Sequence, residues 1–162
     1  MPVDVLHQTL RTHFGFTTFR PHQEDIIQHV LEGGHALVIM PTGGGKSICY
    51  QLPALLKEGF VLVISPLISL MNDQVRSLRA NGIRAGALHS GTTSEESREI
   101  NHDIEDGKLK ILYVSPERAL TPKFLEWISV RPVSLIAIDE AHCVSIWGND
   151  FRPEYAQLPA LI

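Results

Sequence analysis

The feature of the sequence that most constrains its fold is the alternation of short apolar runs with longer amphipathic stretches. The apolar runs occupy residues 36–40 (ALVIM), 60–64 (FVLVI), 85–88 (AGAL), 111–114 (ILYV) and 134–138 (SLIAI). Helical patterns are predicted over residues 3–14, 22–31, 47–56, 67–81, 94–106 and 122–129. Uninterrupted apolar runs separated by helices are typical of parallel strands that are covered on both faces. The alternation therefore predicts an α/β fold, with a mostly parallel sheet and helices on both faces.

Composition limits the kinds of protein to which the chain can belong. Its 162 residues suit one domain, and a net charge of -4 means that any nucleic acid would have to bind in a local groove. Cys49 and Cys143 lie far apart and have no zinc-ligand spacing, so we expect a reduced thiol setting and no zinc. The sequence has no signal-peptide pattern and no apolar run long enough to span a bilayer. We expect a cytoplasmic protein, in the bacterial cytosol or nucleoid, with no membrane partner.

The stretch MPTGGGKS, residues 40–47, follows the first apolar run and opens a predicted helix. Consecutive glycines let backbone N–H groups turn toward an anion, and a helix N-terminus favours negative charge. Lys46 is suited to the β- and γ-phosphates of a nucleotide, and the Ser47 hydroxyl to Mg²⁺. The general phosphate-loop pattern begins with glycine, where this chain has Met40; the alternative is a glycine-rich turn that binds nothing. The predicted phosphate-binding residues are Met40, Pro41, Thr42, Gly43, Gly44, Gly45, Lys46 and Ser47.

An acidic pair ends the last apolar run, in LIAIDEAH at residues 135–142. Asp139 stands where a carboxylate holds Mg²⁺ opposite Ser47 in phosphate-loop enzymes. Glu140 can accept a proton from the water that attacks the γ-phosphate. An Asp-Glu pair is also a common helix cap, and His142 is either a near-surface histidine or a coupling residue. Together with the phosphate loop, the pair predicts the catalytic set Lys46, Asp139 and Glu140.

Taken together, these motifs resemble the first motor domain of the RecQ family of superfamily 2 helicases. The resemblance covers essentially the whole chain, and it rests on FGFTTFRPHQEDII (14–27), MPTGGGKSICYQLPA (40–54), SPLISLMNDQV (65–75), YVSPER (113–118) and DEAHCVSIWGNDFRPEY (139–155). It implies a three-layer RecA-like phosphate-loop domain over residues 1–162. It also implies that this domain is truncated at its C-terminus. The second RecA-like domain, the zinc-binding region and the winged-helix region of the family are expected to be absent from these residues.

The resemblance also assigns roles to polar residues that spacing alone leaves open. Gln23 is expected to hydrogen-bond the adenine edge while Phe16 and Arg20 sandwich the ring. The alternative for Phe16 is packing against a helix. Ser69, Asn72 and Gln74 are expected to contact phosphates of single-stranded or partly duplex DNA, or else to form a solvated helix face.

The aromatic-rich loop after the acidic pair is the part of the resemblance that is most specific to RecQ proteins. Trp147 and Phe151 are expected to stack on bases, with Arg152 at a phosphate or base; the alternative is that these aromatics cover a core edge. The family's loop reads Ser-Gln-Trp-Gly-His-Asp-Phe-Arg, whereas this chain has Ile146 for the glutamine and Asn149 for the histidine. Ile146 cannot make the hydrogen bonds of the glutamine, and Asn149 cannot carry the charge of the histidine, so we expect weaker coupling between DNA and ATP.

Three functions are consistent with this pattern. The first is the ATP-binding half of an ATP-dependent 3′-to-5′ DNA helicase that uses Mg-ATP to unwind DNA in recombination and repair. The second is an unrelated phosphate-loop kinase or GTPase, but the sequence has neither an acceptor-site lid nor a guanine-reading Asn-Lys-x-Asp run. The third is a catalytically idle fragment that only binds nucleotide or DNA. Because half of the helicase site belongs to the second domain, we expect this chain alone to be inactive in unwinding.

Overall fold

The computed structural model describes residues 3–33 and 47–138. The described helices are α1 (Val3–Thr9), α2 (Gln23–Leu31), α3 (Ile48–Leu56), α4 (Ile68–Ala80), α5 (Ser94–Glu105), α6 (Pro116–Ala119) and α7 (Pro122–Ser129). The described strands are β1 (Phe60–Ile64), β2 (Ala85–Leu88), β3 (Ile111–Val114) and β4 (Val133–Ile138). No helix in these two ranges is long and apolar enough to span a membrane.

The described strands form one parallel sheet, as predicted. Their order is β2-β3-β1-β4, and each neighbouring pair runs parallel. Ile64 is in register with Val114 on one side and with Ile138 on the other, and Val114 is also in register with Leu88. The carboxyl ends of all these strands therefore meet at a single edge of the sheet.

The two faces of the sheet are covered by different helices, which gives the three layers that the sequence predicts. In β1, Phe60, Leu62 and Ile64 belong to a core that includes buried residues of α5, α6 and α7. Val61 and Val63 point to the opposite face and pack with buried residues of α3 and α4. Because successive side chains of a strand alternate between faces, an entirely apolar strand is buried on both.

The N-terminal helices form a third core against α3. Leu6, Leu10 and Ile27 are fully buried there, together with Ile48 and Leu52 of α3. Phe14 and Phe19 pack against the same cluster, so both ends of the segment between α1 and α2 are anchored. This packing holds the predicted adenine-binding segment against the helix that follows the phosphate loop.

The structure refines several predicted boundaries. The helix predicted over 3–14 is α-helical to Thr9 and continues as a π-helical turn, Leu10–Phe14. Thr9 Oγ1 donates to the carbonyl of Val5 (2.8 Å), a back-bond that commonly bends helices. Helix α6 was not predicted; it is a single turn capped by the Ser115 side chain. The strand predicted over 36–40 lies outside the described residues.

Candidate functional site

Polar residues follow the strands where their carboxyl ends meet. Ser65 follows β1, His89 follows β2 and Ser115 follows β3, and each is at most 5% exposed. Ser65 Oγ has no hydrogen-bond partner in the described part of the chain. Ligands of parallel α/β sheets bind at this edge, so the buried polar groups stand where the sequence predicts the site.

Ser47 directly precedes α3 and is the last residue of the predicted phosphate loop. Its carbonyl accepts hydrogen bonds from the N–H groups of Tyr50 (3.2 Å) and Gln51 (2.9 Å). Its side chain is half-buried and makes no capping hydrogen bond to the helix. A hydroxyl that is not used for capping suits the ligand set expected for Mg²⁺ in a phosphate-loop site. The metal-binding role of Ser47 stays a prediction, and its hydroxyl is of the right chemistry for it.

The predicted adenine-binding residues Phe16 and Arg20 precede α2, and Gln23 is its first residue. The backbone N–H of Arg20 donates to Gln23 Oε1 (2.8 Å), and the backbone N–H of Gln23 donates to the Arg20 carbonyl (3.1 Å). Gln23 is buried, which fixes its carboxamide, whereas Phe16 is 52% exposed. The turn thus brings Arg20 and Gln23 together and leaves the Phe16 ring outside the core.

The predicted DNA-contact residues of α4 differ in their surroundings. Ser69 is exposed. Asn72 is also exposed, and its Oδ1 lies 3.1 Å from His89 Nε2. Gln74 is half-buried, and its Oε1 accepts from Gln51 Nε2 of α3 (2.9 Å). The carboxamide of Gln74 therefore faces α3, and the DNA roles of all three residues stay predictions.

The turn after β2 is a polar element that sequence reasoning missed. The backbone N–H of Gly91 donates to His89 Nδ1 (2.9 Å), so Nε2 carries the ring proton and donates to Asn72. Thr92 Oγ1 accepts from the His89 N–H (3.0 Å) and donates to the Ala87 carbonyl (2.8 Å). The run HSGTT directly after a predicted strand was the available signal.

A second polar group that the sequence did not reveal is buried between α3, α4 and β3. Gln51 Nε2 donates to Tyr113 OH (3.1 Å) as well as to Gln74, and the hydroxyls of Tyr113 and Tyr50 lie 3.0 Å apart. The pattern around Tyr113 reads as an ordinary apolar strand. Its hydroxyl could be paired with Gln51 only by knowing how α3 lies across the sheet.

The titratable groups with clear shifts are structural. Burial raises the pKa of the Cys49 thiol to about 11, which makes it a poor nucleophile. Hydrogen bonds from the Thr93 backbone and then the Thr93 hydroxyl lower the pKa of Glu96, which is part of the capping box of α5. Residues 3–33 and 47–138 contain no group of His, Cys, Asp and Glu that could hold a metal ion.

The remaining predicted site residues lie outside the described ranges. They are Met40, Pro41, Thr42, Gly43, Gly44, Gly45 and Lys46 of the phosphate loop, Asp139 and Glu140 of the acidic pair, and Trp147, Phe151 and Arg152 of the aromatic-rich loop. Asp139 follows Ile138, the last residue of β4, directly in the sequence.

Residues 20–162 match the family model described as DEAD/DEAH box helicase. The chain is 55% identical over 152 residues to a protein named ATP-dependent DNA helicase RecQ from Haemophilus influenzae. That match covers 94% of this chain and 25% of the relative, so the chain spans about a quarter of the relative's length.

Two solved structures share the fold. A hypothetical ATP-dependent RNA helicase from Sulfolobus tokodaii superimposes with a TM-score of 0.71 at 23% identity, over 99% of this chain and 47% of the other. The DUF1998 helicase MrfA, bound to DNA and AMPPNP, superimposes with a TM-score of 0.68 at 23% identity, over 88% of this chain and 22% of the other. At these identities the likeness concerns the fold.

Proposed function

Because the chain belongs to the DEAD/DEAH box helicase family, with a RecQ-like sequence, we propose that it is the ATP-binding half of an ATP-dependent 3′-to-5′ DNA helicase. In this role it binds Mg-ATP and single-stranded DNA, and the complete helicase unwinds DNA in recombination and repair in the cytoplasm. The observation that carries the proposal is the 55% identity to a RecQ helicase over 94% of this chain.

In the proposed function, the residues of the phosphate loop and the acidic pair bind Mg-ATP and activate the attacking water. Lys46 and the backbone N–H groups of the glycine-rich loop hold the phosphates, and Ser47 and Asp139 hold Mg²⁺, which neutralises charge on the phosphates when it is bound. Glu140 takes the proton of the attacking water. What supports this assignment is that α3, which begins after Ser47, packs against β1 and β4. The elements that carry the proposed Mg²⁺ ligands are therefore neighbours.

The adenine end of the proposal depends on the turn before α2. Gln23 reads the edge of the base, and Phe16 and Arg20 stack on its two faces. The buried Gln23 carboxamide, fixed by the Arg20 N–H at 2.8 Å, supports a directional contact. The exposed Phe16 ring supports stacking, since a ring that is half open to solvent has a free face to offer.

In the proposed DNA-binding role, neutral hydrogen-bond donors contact the phosphates more than charged side chains do. Ser69 and Asn72 on α4 are exposed beside the carboxyl edge of the sheet, and Oδ1 of Asn72 accepts a hydrogen bond from His89. Hydroxyl and amide donors can hold phosphates without a strongly positive surface, in keeping with a net charge of -4. Trp147, Phe151 and Arg152 complete the proposed DNA contacts.

The proposal is tested by Lys46→Ala, with Lys108→Ala as the matched control. Lys108 is exposed in the turn before β3, at the amino end of the sheet. Its substitution therefore removes the same positive charge at a position away from the proposed site. Isothermal calorimetry with Mg-ADP should show binding to the wild type and to Lys108→Ala, and none to Lys46→Ala, which lacks a charge-assisted phosphate contact. Equal affinity in all three proteins would refute the phosphate-loop assignment.

A further inference from the structure

A polar network lies inside the core between the sheet and the helices α3 and α4. Tyr113 is 1% exposed, Gln51 5% and Tyr50 8%. Both hydrogens of Gln51 Nε2 are used, one for Gln74 Oε1 (2.9 Å) and one for Tyr113 OH (3.1 Å). Tyr113 OH also lies 3.0 Å from Tyr50 OH, with the two rings edge to face.

Apolar residues surround this network. The cluster in which Tyr50 and Tyr113 lie also contains Val61, Val63 and Met71. Burying amide and hydroxyl groups among such side chains is costly unless every group finds a partner in good geometry. A network of this kind therefore favours one relative position of α3, α4 and β3, because sliding any element breaks hydrogen bonds that water cannot replace.

The network starts at the turn that carries the proposed nucleotide site. The N–H groups of Tyr50 and Gln51 both donate to the Ser47 carbonyl, so these residues form the first turn of α3. A displacement of Ser47 toward or away from a bound nucleotide would move the Gln51 carboxamide. Through Gln74 that movement reaches α4.

Helix α4 is held on its opposite side as well. Gln74 faces α3, whereas Asn72 faces His89 in the turn after β2. Residues two apart on a helix are separated by about 200°, so the two hydrogen bonds hold α4 from opposite flanks. The exposed residues Ser69 and Asn72 near the start of α4 therefore move with any displacement that Gln74 receives.

We propose that Gln51 and Tyr113 are positioning residues that couple the nucleotide-binding turn to the DNA-binding face of α4. Bound nucleotide changes the affinity for single-stranded DNA through them, and DNA changes the affinity for nucleotide by the same factor. The inference rests on the proposed function, because it requires both ligands. It concerns residues that touch neither ligand.

The test is the dissociation constant of a fluorescent oligo-dT strand, measured by anisotropy with and without saturating Mg-AMPPNP. The proteins compared are the full 162-residue wild type, Tyr113→Phe and Gln51→Met. In the wild type we expect nucleotide to change the DNA dissociation constant by about 5-fold or more. The factor by which nucleotide changes the DNA dissociation constant should be smaller in Tyr113→Phe, which loses one hydroxyl. It should approach unity in Gln51→Met, which loses both hydrogen bonds that the Gln51 carboxamide donates. The affinity for each ligand alone should stay near the wild-type value.

Asn101→Leu is the matched control. Asn101 Oδ1 accepts a hydrogen bond from Trp127 Nε1 (3.2 Å), which joins α5 and α7 on the opposite face of the sheet. This substitution also removes a hydrogen bond of a side-chain carboxamide, and it should leave the coupling factor unchanged. Thermal unfolding of every variant separates a loss of stability from a loss of coupling, and Tyr113→Phe removes only one oxygen.

The outcomes distinguish the two proposals. If the wild type binds both ligands but its coupling factor is unity, or is unchanged in Tyr113→Phe and Gln51→Met, the inference is overturned and the proposed function stands. An equal loss of coupling in Asn101→Leu also overturns it, because the network would then act through general stability. If the wild type binds neither ligand, the proposed function fails and the inference falls with it.

Discussion

Single residues of the candidate site owe their positions to hydrogen bonds between neutral groups. His89 is held between the Gly91 N–H and Asn72, and the Gln23 carboxamide is held by the Arg20 N–H. Such bonds position a side chain without a counter-ion, so the site does not need a high local charge. Burial can also make a single side chain unreactive, and the Cys49 thiol is the clearest case.

Cys49 should not react in the folded chain. Burial raises its pKa to about 11, so the reactive thiolate is scarce at pH 8 and the sulfur is shielded from reagent. In a Cys143→Ser background, Ellman's reagent at pH 8 should label Cys49 in urea and leave the native protein unlabelled. Adding Cys49→Ala to that background supplies the blank. Rapid labelling of the native protein would contradict the burial of this thiol.

The same shift has a consequence for stability. The folded state favours the protonated thiol more than the unfolded state does, so its stabilising effect is complete below the ordinary pKa of 9.0. It is lost as the pH rises from there through the folded-state pKa of about 11. Urea denaturation of the Cys143→Ser protein should therefore show a steeper loss of stability over this pH range than the Cys49→Ala blank.

At the scale of elements, the pairing of β1 with β4 depends on a close contact between the residues that precede the two strands. The N–H of Phe60, at the start of β1, donates to the Pro132 carbonyl just before β4 (3.0 Å). Gly59 makes this approach possible, because its φ is +82° and a Cβ there would lie 2.1 Å from the Pro132 oxygen. The contact therefore fixes the start of β4, the strand that precedes the acidic pair in the sequence.

Gly59→Ala should destabilise the chain by about 2–4 kcal/mol, from left-handed backbone strain together with overpacking. Gly107→Ala is the control, because Gly107 has a φ of +70° but a Cβ added there would meet no atom within 4 Å. The control should be destabilised only by the backbone strain, by about 1–2 kcal/mol. Urea unfolding followed by circular dichroism gives both values. Equal losses would mean that the contact with Pro132 is unimportant.

At the scale of the whole molecule, the described residues form one α/β layer structure, which in the proposed function supplies one side of the nucleotide site. The relative from Haemophilus influenzae has about three quarters of its length beyond the part that this chain matches. In the proposed helicase, a second motor domain contributes an arginine to the transition state of phosphoryl transfer. Such an arginine accelerates hydrolysis by about 10³- to 10⁵-fold.

The 162-residue polypeptide alone should therefore hydrolyse ATP slowly and separate no strands. Phosphate release should be measured with and without oligo-dT, and Glu140→Gln serves as the blank for contaminating ATPase. A forked duplex with a fluorophore and a quencher reports strand separation. Unwinding at catalytic concentrations of the chain would contradict the need for a second domain.

The sequence by itself determined the fold class and the motifs. Apolar runs such as 60–64 and 111–114 can be satisfied only by burial on both faces, so their strands and the parallel sheet were predictable. Ser47 was identifiable from its place in the phosphate-loop pattern, and Gln23 from the resemblance to RecQ motor domains; the Mg²⁺ and adenine roles of both residues stay predictions. The phosphate loop, the acidic pair and the aromatic-rich loop remain predictions from the sequence.

Only the tertiary structure decided the strand order and the side-chain partners. The order β2-β3-β1-β4 depends on which helix crosses which strand, and short apolar runs do not encode that. Gln51 and Tyr113 are 62 residues apart, and their hydrogen bond exists because α3 packs against the face of the sheet on which the Tyr113 side chain lies. Periodicity reports whether a residue is buried; the identity of its partner depends on packing between elements that are distant in the chain.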